Sequence, residues 1–211
     1  MSSQYKKFTI IFSSLLAVAL AGLWYGNRDR GYSITNDPST GANIIIFGDS
    51  LVEGFGSTEG NDLASILSER IGQPILNAGR GGDTTSSALE RLEDDVLTKD
   101  PKIVIVLLGG NDYLRRTSKE EIFKNLNTII VRIQAKGAVV VLVEVRARLI
   151  AGGYKGEFKR LAAQRGAILV PDVMRGILGK ADLMYDGIHP NDGGYQIMAE
   201  RIYLELSKFL D

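Results

Sequence analysis

Cysteine is absent from the 211-residue sequence, and histidine occurs only once, as His189. The lack of thiols excludes disulfides, thiolate metal sites, a cysteine nucleophile and lipid attachment through an N-terminal cysteine. The single histidine excludes a metal centre with several imidazole ligands, so any imidazole chemistry must involve His189. Net charge is also absent, because 25 basic residues balance 25 acidic ones. Without an excess of basic residues, the sequence gives no electrostatic sign of a nucleic-acid partner.

Charged residues are also missing from "FTIIFSSLLAVALAGLWYG", residues 8–26, which follow Lys6 and Lys7. Two interpretations stay open for residues 1–26. They form a signal peptide cleaved near residues 19–21, or a retained signal anchor that contacts the membrane. Both predict export, either anchored in the inner membrane and facing the periplasm or soluble in the periplasm or medium. The polar, turn-rich residues 27–42 are predicted as a linker, and residues 43–211 as the globular domain.

Short apolar runs alternate with helical periodicity throughout the predicted domain. The predicted strands are 43–47, 74–79, 102–110, 138–145 and 167–171, and the predicted helices are 62–71, 84–97, one beginning at 118, and two near 154–165 and 192–210. The strands are apolar on both faces, which is typical of a parallel sheet covered by helices on both sides. Ligands of such sheets bind beyond the carboxyl ends of the strands.

The first predicted strand runs into the glycine-rich stretch "GDSLVEGFGSTEG", residues 48–60. Gly54, Gly56 and Gly60 are spaced one residue too widely for a dinucleotide-binding turn, and no Gly-Lys-Ser/Thr of a phosphate loop follows. The G-x-S-x-G turn of another hydrolase class is not matched either, because Gly48 is the only glycine around Ser50. Taken alone, Ser50 would be a helix cap.

Polar residues after other strands favour a different interpretation of Ser50. A serine hydroxyl needs a base to become a nucleophile, and the only imidazole lies in "YDGIHPND", three residues after Asp186. A carboxylate at that spacing can orient the imidazole and stabilise its cation. The backbone N–H groups of Ser50 and Gly79 and the side-chain amide of Asn111 could hold a developing oxyanion.

Together these blocks resemble the SGNH hydrolase superfamily, also called the GDSL esterases and lipases. The matching blocks are "FGDSL" (47–51), "NAGRGGDT" (77–84), "GGND" (109–112) and "DGIHP" (186–190). The likeness is closest to bacterial exported thioesterase, lysophospholipase and arylesterase enzymes. It implies a flavodoxin-like, three-layer α/β/α sandwich with a parallel sheet and no metal or organic cofactor. It also implies an acyl pocket formed partly by Tyr113 and Leu114, with a bulky Tyr113 where relatives often have glycine.

Three functions follow from these observations. The first is a serine esterase that hydrolyses acyl esters or thioesters, such as short-chain esters or lysophospholipids, with Ser50, His189 and Asp186 as the catalytic residues. The second is a carbohydrate O-acetylesterase that uses the same site. The third is a membrane-tethered binding module without turnover, in which Ser50 would not react with a fluorophosphonate.

Overall fold

The computed structural model describes residues 31–145, 154 and 156–210. Contacts divide the chain into two units, Met1–Ser33 and Ile34–Asp211, and the helices and strands given below belong to the second. Within the described residues, no helix has the length and apolar character needed to cross a membrane. Residues 1–26 lie outside the described residues, so the signal or anchor function of this segment stays a prediction.

Five parallel strands form one sheet in the described part of the chain, in the order β2-β1-β3-β4-β5. They are β1 (Asn43–Gly48), β2 (Ile75–Gly79), β3 (Pro101–Leu107), β4 (Val139–Val143) and β5 (Ile168–Val170). The side chains of β4 are buried along its whole length, as are nearly all those of β1 and β3. This burial on both faces agrees with the continuous apolar runs in the sequence.

Helices connect the strands and cover the sheet. They are α1 (Ser50–Glu53), α2 (Leu63–Ile71), α3 (Thr85–Leu92) with a π-helical extension (Glu93–Leu97), α4 (Gly110–Leu114), α5 (Lys119–Gln134), α6 (Glu157–Arg165) and α7 (Asp192–Leu206) with a 3₁₀ turn (Ser207–Phe209). Helix α2 packs with α7, while α3 packs with α5 and α5 with α6. With right-handed crossovers these two groups cover opposite faces of the sheet. The predicted flavodoxin-like sandwich is confirmed.

The ends of the longer helices follow from local side-chain chemistry. Asp62 accepts hydrogen bonds from the backbone N–H groups of Ala64 and Ser65 at the start of α2, and Gly72 ends that helix with φ +77°. Ser118 caps α5 by accepting from Glu121 N–H. The sequence did not predict the short helices α1 and α4, which begin directly after β1 and β3.

The segment predicted as a linker is partly packed against the domain. Ile34 is buried, and the Asn36 side chain donates to the carbonyls of Gln134 and Ala138 at 2.7 and 3.0 Å. Gln134 belongs to the last turn of α5, where carbonyl groups lack intrahelical donors, and Ala138 directly precedes β4. The globular unit therefore begins near Ile34 rather than at the predicted residue 43.

Candidate active site

The candidate site lies where β1 and β3 end, at the point where the strand order reverses. The last residue of β1, Gly48, pairs with Gly79 of β2 on one side and Leu107 of β3 on the other. A Cβ atom at Gly48 would overlap the Leu107 carbonyl and the Val52 side chain. Glycine therefore allows α1 to pack directly on the strand ends and places Ser50 at the carboxyl edge of the sheet.

Asp49, not Ser50, caps the helix that follows β1. Its carboxylate accepts the backbone N–H of Leu51 at 3.1 Å, and its backbone carbonyl accepts the N–H groups of Val52 and Glu53. Ser50 is the first residue of α1, and its hydroxyl lies 3.0 Å from Nε2 of His189, 139 positions away in the chain. The alternative interpretation of Ser50 as a simple helix cap is therefore wrong.

His189 and Asp186 complete a continuous line of hydrogen-bonding groups with Ser50. Nδ1 of His189 lies 2.8 Å from Oδ2 of Asp186. Because a carboxylate can only accept, Nδ1 carries the proton and Nε2 is left to accept from the Ser50 hydroxyl. The structure thus brings together the three side chains that the sequence predicted to act jointly.

Hydrogen bonds keep the Asp186 carboxyl group ionised. Burial alone would raise its pKa, but bonds from the His189 side chain and from the N–H groups of Ile188 and His189 outweigh burial and lower the pKa to about 2. The two backbone bonds measure 2.8 and 2.7 Å and converge on Oδ1, leaving Oδ2 for the imidazole. The short loop from Asp186 to His189 therefore fixes both the charge and the direction of the carboxylate.

Asn111 lies on the wall of the same pocket as Ser50, in the first turn of α4. Its side-chain Nδ2 donates to the carbonyl of Asp83 at 3.0 Å and lies 3.4 Å from Oδ2 of Asp49. These contacts fix the amide beside the nucleophile. The N–H of Ser50 has no acceptor among the described residues, so it is available to a ligand.

Gly79 does not take the position predicted for an oxyanion donor. Its N–H donates to Oδ1 of Asn77 at 2.9 Å, and a Cβ atom at this position would overlap the backbone of Glu53. Asn77 in turn donates to the carbonyl of Val52 at 2.9 Å. Gly79 therefore allows α1 to approach β2 closely, and its N–H is engaged within the fold.

The sequence reasoning overlooked another glycine in the same loop, Gly82. It has φ +80°, and its carbonyl accepts from Arg115 at 2.9 Å. Its N–H has no acceptor among the described residues, and the next residue, Asp83, is the one whose carbonyl contacts Asn111. Gly81 N–H also has no acceptor among these residues, but Gly82 directly precedes Asp83 and is therefore the stronger candidate donor of this loop.

An apolar cavity of about 80 Å³ opens beside Ser50 and His189. Tyr113 and Leu114, the predicted pocket residues, lie on its wall. The sequence did not identify the other apolar lining residues, which are Leu51, Val145, Met174, Leu178 and Ile188. They belong to segments far apart in the chain, and no local motif marks them.

Asp49 and Arg91 are buried ionisable residues next to the end of β1. Burial raises the pKa of Asp49 to about 7, while the hydrogen bond from Leu51 N–H opposes that rise. Arg91 of α3 is only 7 % exposed; it pairs with Asp83 at 2.6 Å and donates to the carbonyl of Gly48 at 2.9 Å. Through these bonds Arg91 connects the end of β1 to the loop that contains Gly82.

No group of three or more histidine, aspartate or glutamate side chains within the described residues is arranged to hold a metal ion. The chemistry available at this edge of the sheet is instead that of a hydroxyl, an imidazole, a carboxylate and amide donors. Such a set can transfer an acyl group through a covalent intermediate.

Residues 46–197 match the GDSL-like lipase/acylhydrolase family. Esterase TesA of Pseudomonas aeruginosa is 29% identical over 178 residues, which cover 79% of this chain and 89% of the relative. Thioesterase 1/protease 1/lysophospholipase L1 of Escherichia coli strain K12 is 27% identical over 176 residues, covering 80% and 85%.

The solved structure of another esterase is similar to this chain over most of its length. The psychrotrophic esterase EstA from a Pseudoalteromonas species, inhibited by monoethylphosphonate, superimposes with a TM-score of 0.72 at 26% identity. The match covers 80% of this chain and 98% of that one. The resemblance to SGNH hydrolases inferred from the sequence blocks is confirmed.

Proposed function

The chain belongs to the GDSL-like lipase/acylhydrolase family and is a hydrolase that acts on esters; we propose that it does so through an acyl-enzyme on Ser50. Family membership sets aside the binding module without turnover. The observation that carries the proposal is the unbroken contact from Ser50 Oγ through His189 to Asp186, at 3.0 and 2.8 Å.

In the first half of the reaction, Ser50 Oγ attacks the carbonyl carbon of the bound ester. Its proton passes to Nε2 of His189, and the ionised Asp186 stabilises the resulting imidazolium. The imidazolium then gives that proton to the oxygen or sulfur of the leaving group. The bond between this atom and the acyl carbon breaks, and the acyl group remains on Ser50 as an ester.

In the second half, water replaces the leaving group. His189 removes a proton from the water while the oxygen attacks the acyl carbon. The protonated His189 then returns a proton to Ser50 Oγ as the acyl–enzyme bond breaks. A carboxylic acid leaves, and the enzyme recovers its starting protonation state.

Both tetrahedral intermediates carry a negative oxygen that needs donors. We assign the Ser50 N–H, the Gly82 N–H and the Asn111 amide to this role, in which Asn111 exchanges its long 3.4 Å contact with Asp49 for the oxyanion. Gly82 thus replaces Gly79, the donor that the sequence predicts. Each donor of this kind contributes about 3–4 kcal/mol to lowering the barrier. A crystal structure of a phosphonylated enzyme tests the set, because the phosphonyl oxygen should lie about 3 Å from all three nitrogens. Contact with Gly79 N instead of Gly82 N would refute the replacement.

The cavity supports an acyl group with hydrocarbon character as the substrate. Its walls next to Ser50 are mostly apolar, and Met174, one of the lining residues, is almost fully buried. Short-chain esters, thioesters and lysophospholipids all carry such a group. A sugar acetate places only a methyl group in this cavity and leaves most of the apolar wall without a contact. The carbohydrate O-acetylesterase is therefore the second candidate function.

We propose that the protein is exported, on the basis of the uncharged segment 8–26 behind Lys6 and Lys7. Cell fractionation together with determination of the mature N-terminus distinguishes a cleaved signal from a retained anchor. Recovery of the full-length protein from the cytosol would contradict export.

Hydrolysis of chromogenic acyl esters by the purified full-length protein tests the proposed function. We expect Ser50→Ala and His189→Ala each to lower kcat by about 10⁴-fold or more. Ser86→Ala, at an exposed serine of α3, serves as the matched control and should retain wild-type activity. Equal rates in all four proteins would overturn the assignment. Faster release of acetate from acetylated glycans than of fatty acid from lysophospholipids would favour the carbohydrate substrate.

A further inference from the structure

The aromatic ring of Phe55 lies against the imidazole of His189. The two ring centroids are 4.6 Å apart, and their planes are inclined by 52°. Phe55 itself is 48% exposed, so it covers the imidazole from the solvent side rather than from the core. It belongs to residues 54–58, the glycine-containing segment that the sequence left without a function.

This segment is attached to the nucleophile. The N–H groups of Gly54 and Phe55 both donate to the Ser50 carbonyl, at 3.1 and 3.0 Å. The Phe55 carbonyl accepts from the hydroxyl of Tyr195, a fully buried residue of α7, at 2.9 Å. The backbone that carries the Phe55 ring is therefore fixed relative to Ser50 on one side and to the core on the other.

The same segment is also attached to the chain around the histidine. Thr58 donates through its N–H and its hydroxyl to the Asp192 carboxylate, at 2.8 and 2.7 Å. Gly56 has φ +91°, and a Cβ atom there would lie 2.7 Å from both the Pro190 carbonyl and the Tyr185 side chain. Only glycine allows the segment to approach the histidine loop this closely.

From these contacts we propose that Phe55 is a positioning residue that holds the His189 imidazole in line with Ser50. The proposal rests on the role of His189 as the base. Ser50 and His189 are 139 positions apart in the chain. The segment 54–58 is hydrogen-bonded to Ser50 and to Asp192, three residues after His189. Packing of the Phe55 ring restricts rotation of the imidazole away from Ser50 Oγ, and a misplacement of about 1 Å can cost about 10²-fold in rate.

Kinetics of Phe55 variants test this role. We expect Phe55→Ala to lower kcat by about tenfold or more with KM changed less than about twofold, because the ring acts on the base rather than on the substrate. Phe55→Tyr keeps the ring and should retain at least about half of the wild-type kcat. Phe55→Leu, which retains apolar volume without the ring, should fall between Phe55→Ala and Phe55→Tyr.

Nuclear magnetic resonance tests the contact between the two rings in solution. The chain has a single histidine, so in untagged protein every imidazole signal belongs to His189. Loss of the neighbouring ring in Phe55→Ala should shift the imidazole carbon-bound protons, whereas Leu204→Ala should not. Leu204 is the matched control, because it is also a large exposed side chain, on α7, with 53% exposure.

The outcomes separate this inference from the proposed function. His189→Ala is measured in the same assay, and its full activity would overturn the proposed function itself. With His189→Ala inactive, a Phe55→Ala kcat within about twofold of wild type would overturn the positioning role. The role would also be overturned if Phe55→Tyr were as slow as Phe55→Ala, or if KM rose while kcat stayed unchanged.

Discussion

Replacing Arg91 with methionine should remove a buried group that connects several parts of the site. Besides its bonds to Asp83 and Gly48, the guanidinium donates to the Ala78 carbonyl at 3.0 Å and to Asp95 at 2.7 Å. It also lies 4.5 Å from the ring centroid of Phe47. Methionine keeps much of the apolar contact with that ring but supplies none of the donors.

The expected loss is about 3–5 kcal/mol in the free energy of unfolding, which is typical when one partner of a buried ion pair is removed. Most of it comes from Asp83, whose side chain is 7% exposed and is left with a charge that no cation compensates. Asp83→Asn in the Arg91→Met background removes that charge. The double variant should therefore be about 1–3 kcal/mol more stable than the sum of the two single-variant losses predicts.

The measurement is urea unfolding followed by circular dichroism. A shift in the midpoint urea concentration gives the change in stability when the slope of the unfolding free energy against urea concentration is unchanged. Arg132→Met is the matched control, because Arg132 pairs with Glu93 at 2.7 Å but is 39% exposed. We expect this control to lose no more than about 1 kcal/mol. Equal losses in Arg91→Met and Arg132→Met would refute the argument that burial of the pair determines its contribution.

Three further predictions concern the site. Asp186→Asn should lower kcat by about 10⁴-fold without unfolding the protein, because an amide NH₂ facing Nδ1 favours the wrong imidazole tautomer; unchanged kcat would contradict this. The folded-state pKa of Asp49, about 7, exceeds its ordinary value of 3.8, so wild-type stability should fall as pH rises from 4 to 7. Asp49→Asn should lack that fall and gain up to about 4 kcal/mol over wild type by pH 8, whereas parallel pH profiles in thermal unfolding would refute the argument. Met174→Ala should raise kcat/KM for long relative to short acyl esters by about tenfold, and an unchanged ratio would exclude Met174 from the acyl site.

The fold could be predicted because its signals are local. Apolar runs such as residues 103–107 are buried on both faces of the sheet, and Asp62, Gly72 and Ser118 mark helix ends through short-range hydrogen bonds. The grouping of Ser50 with His189 could also be predicted, since the carboxyl ends of parallel strands meet at one edge and the sequence offers only one imidazole.

The choice of oxyanion donors could not be predicted in the same way. Gly79 is the last residue of β2 and Gly82 lies three residues further along the chain, and their N–H directions depend on backbone dihedral angles. The bond from Gly79 N–H to the Asn77 side chain is the detail that excludes Gly79, and no spacing rule indicates it. The pocket wall was missed for a related reason, because Leu51, Val145 and Met174 meet only through the tertiary fold.

The glycines after Ser50 illustrate a third limit of the sequence. Gly54 and Gly56 have φ of +96° and +91°, values typical of turns. What their spacing could not reveal is the function of the residue between them. Phe55 contacts His189 only because the segment turns back on α1 and passes beside the histidine loop.

The most direct test of the account is to locate the covalent intermediate. The full-length protein is treated with one equivalent of a fluorophosphonate, digested and analysed by mass spectrometry. We predict a single adduct on the peptide that contains Ser50, no adduct in Ser50→Ala, and much slower labelling in His189→Ala. Labelling at another residue, or at an undiminished rate without His189, would contradict the assignment of Ser50 as a nucleophile activated by this imidazole.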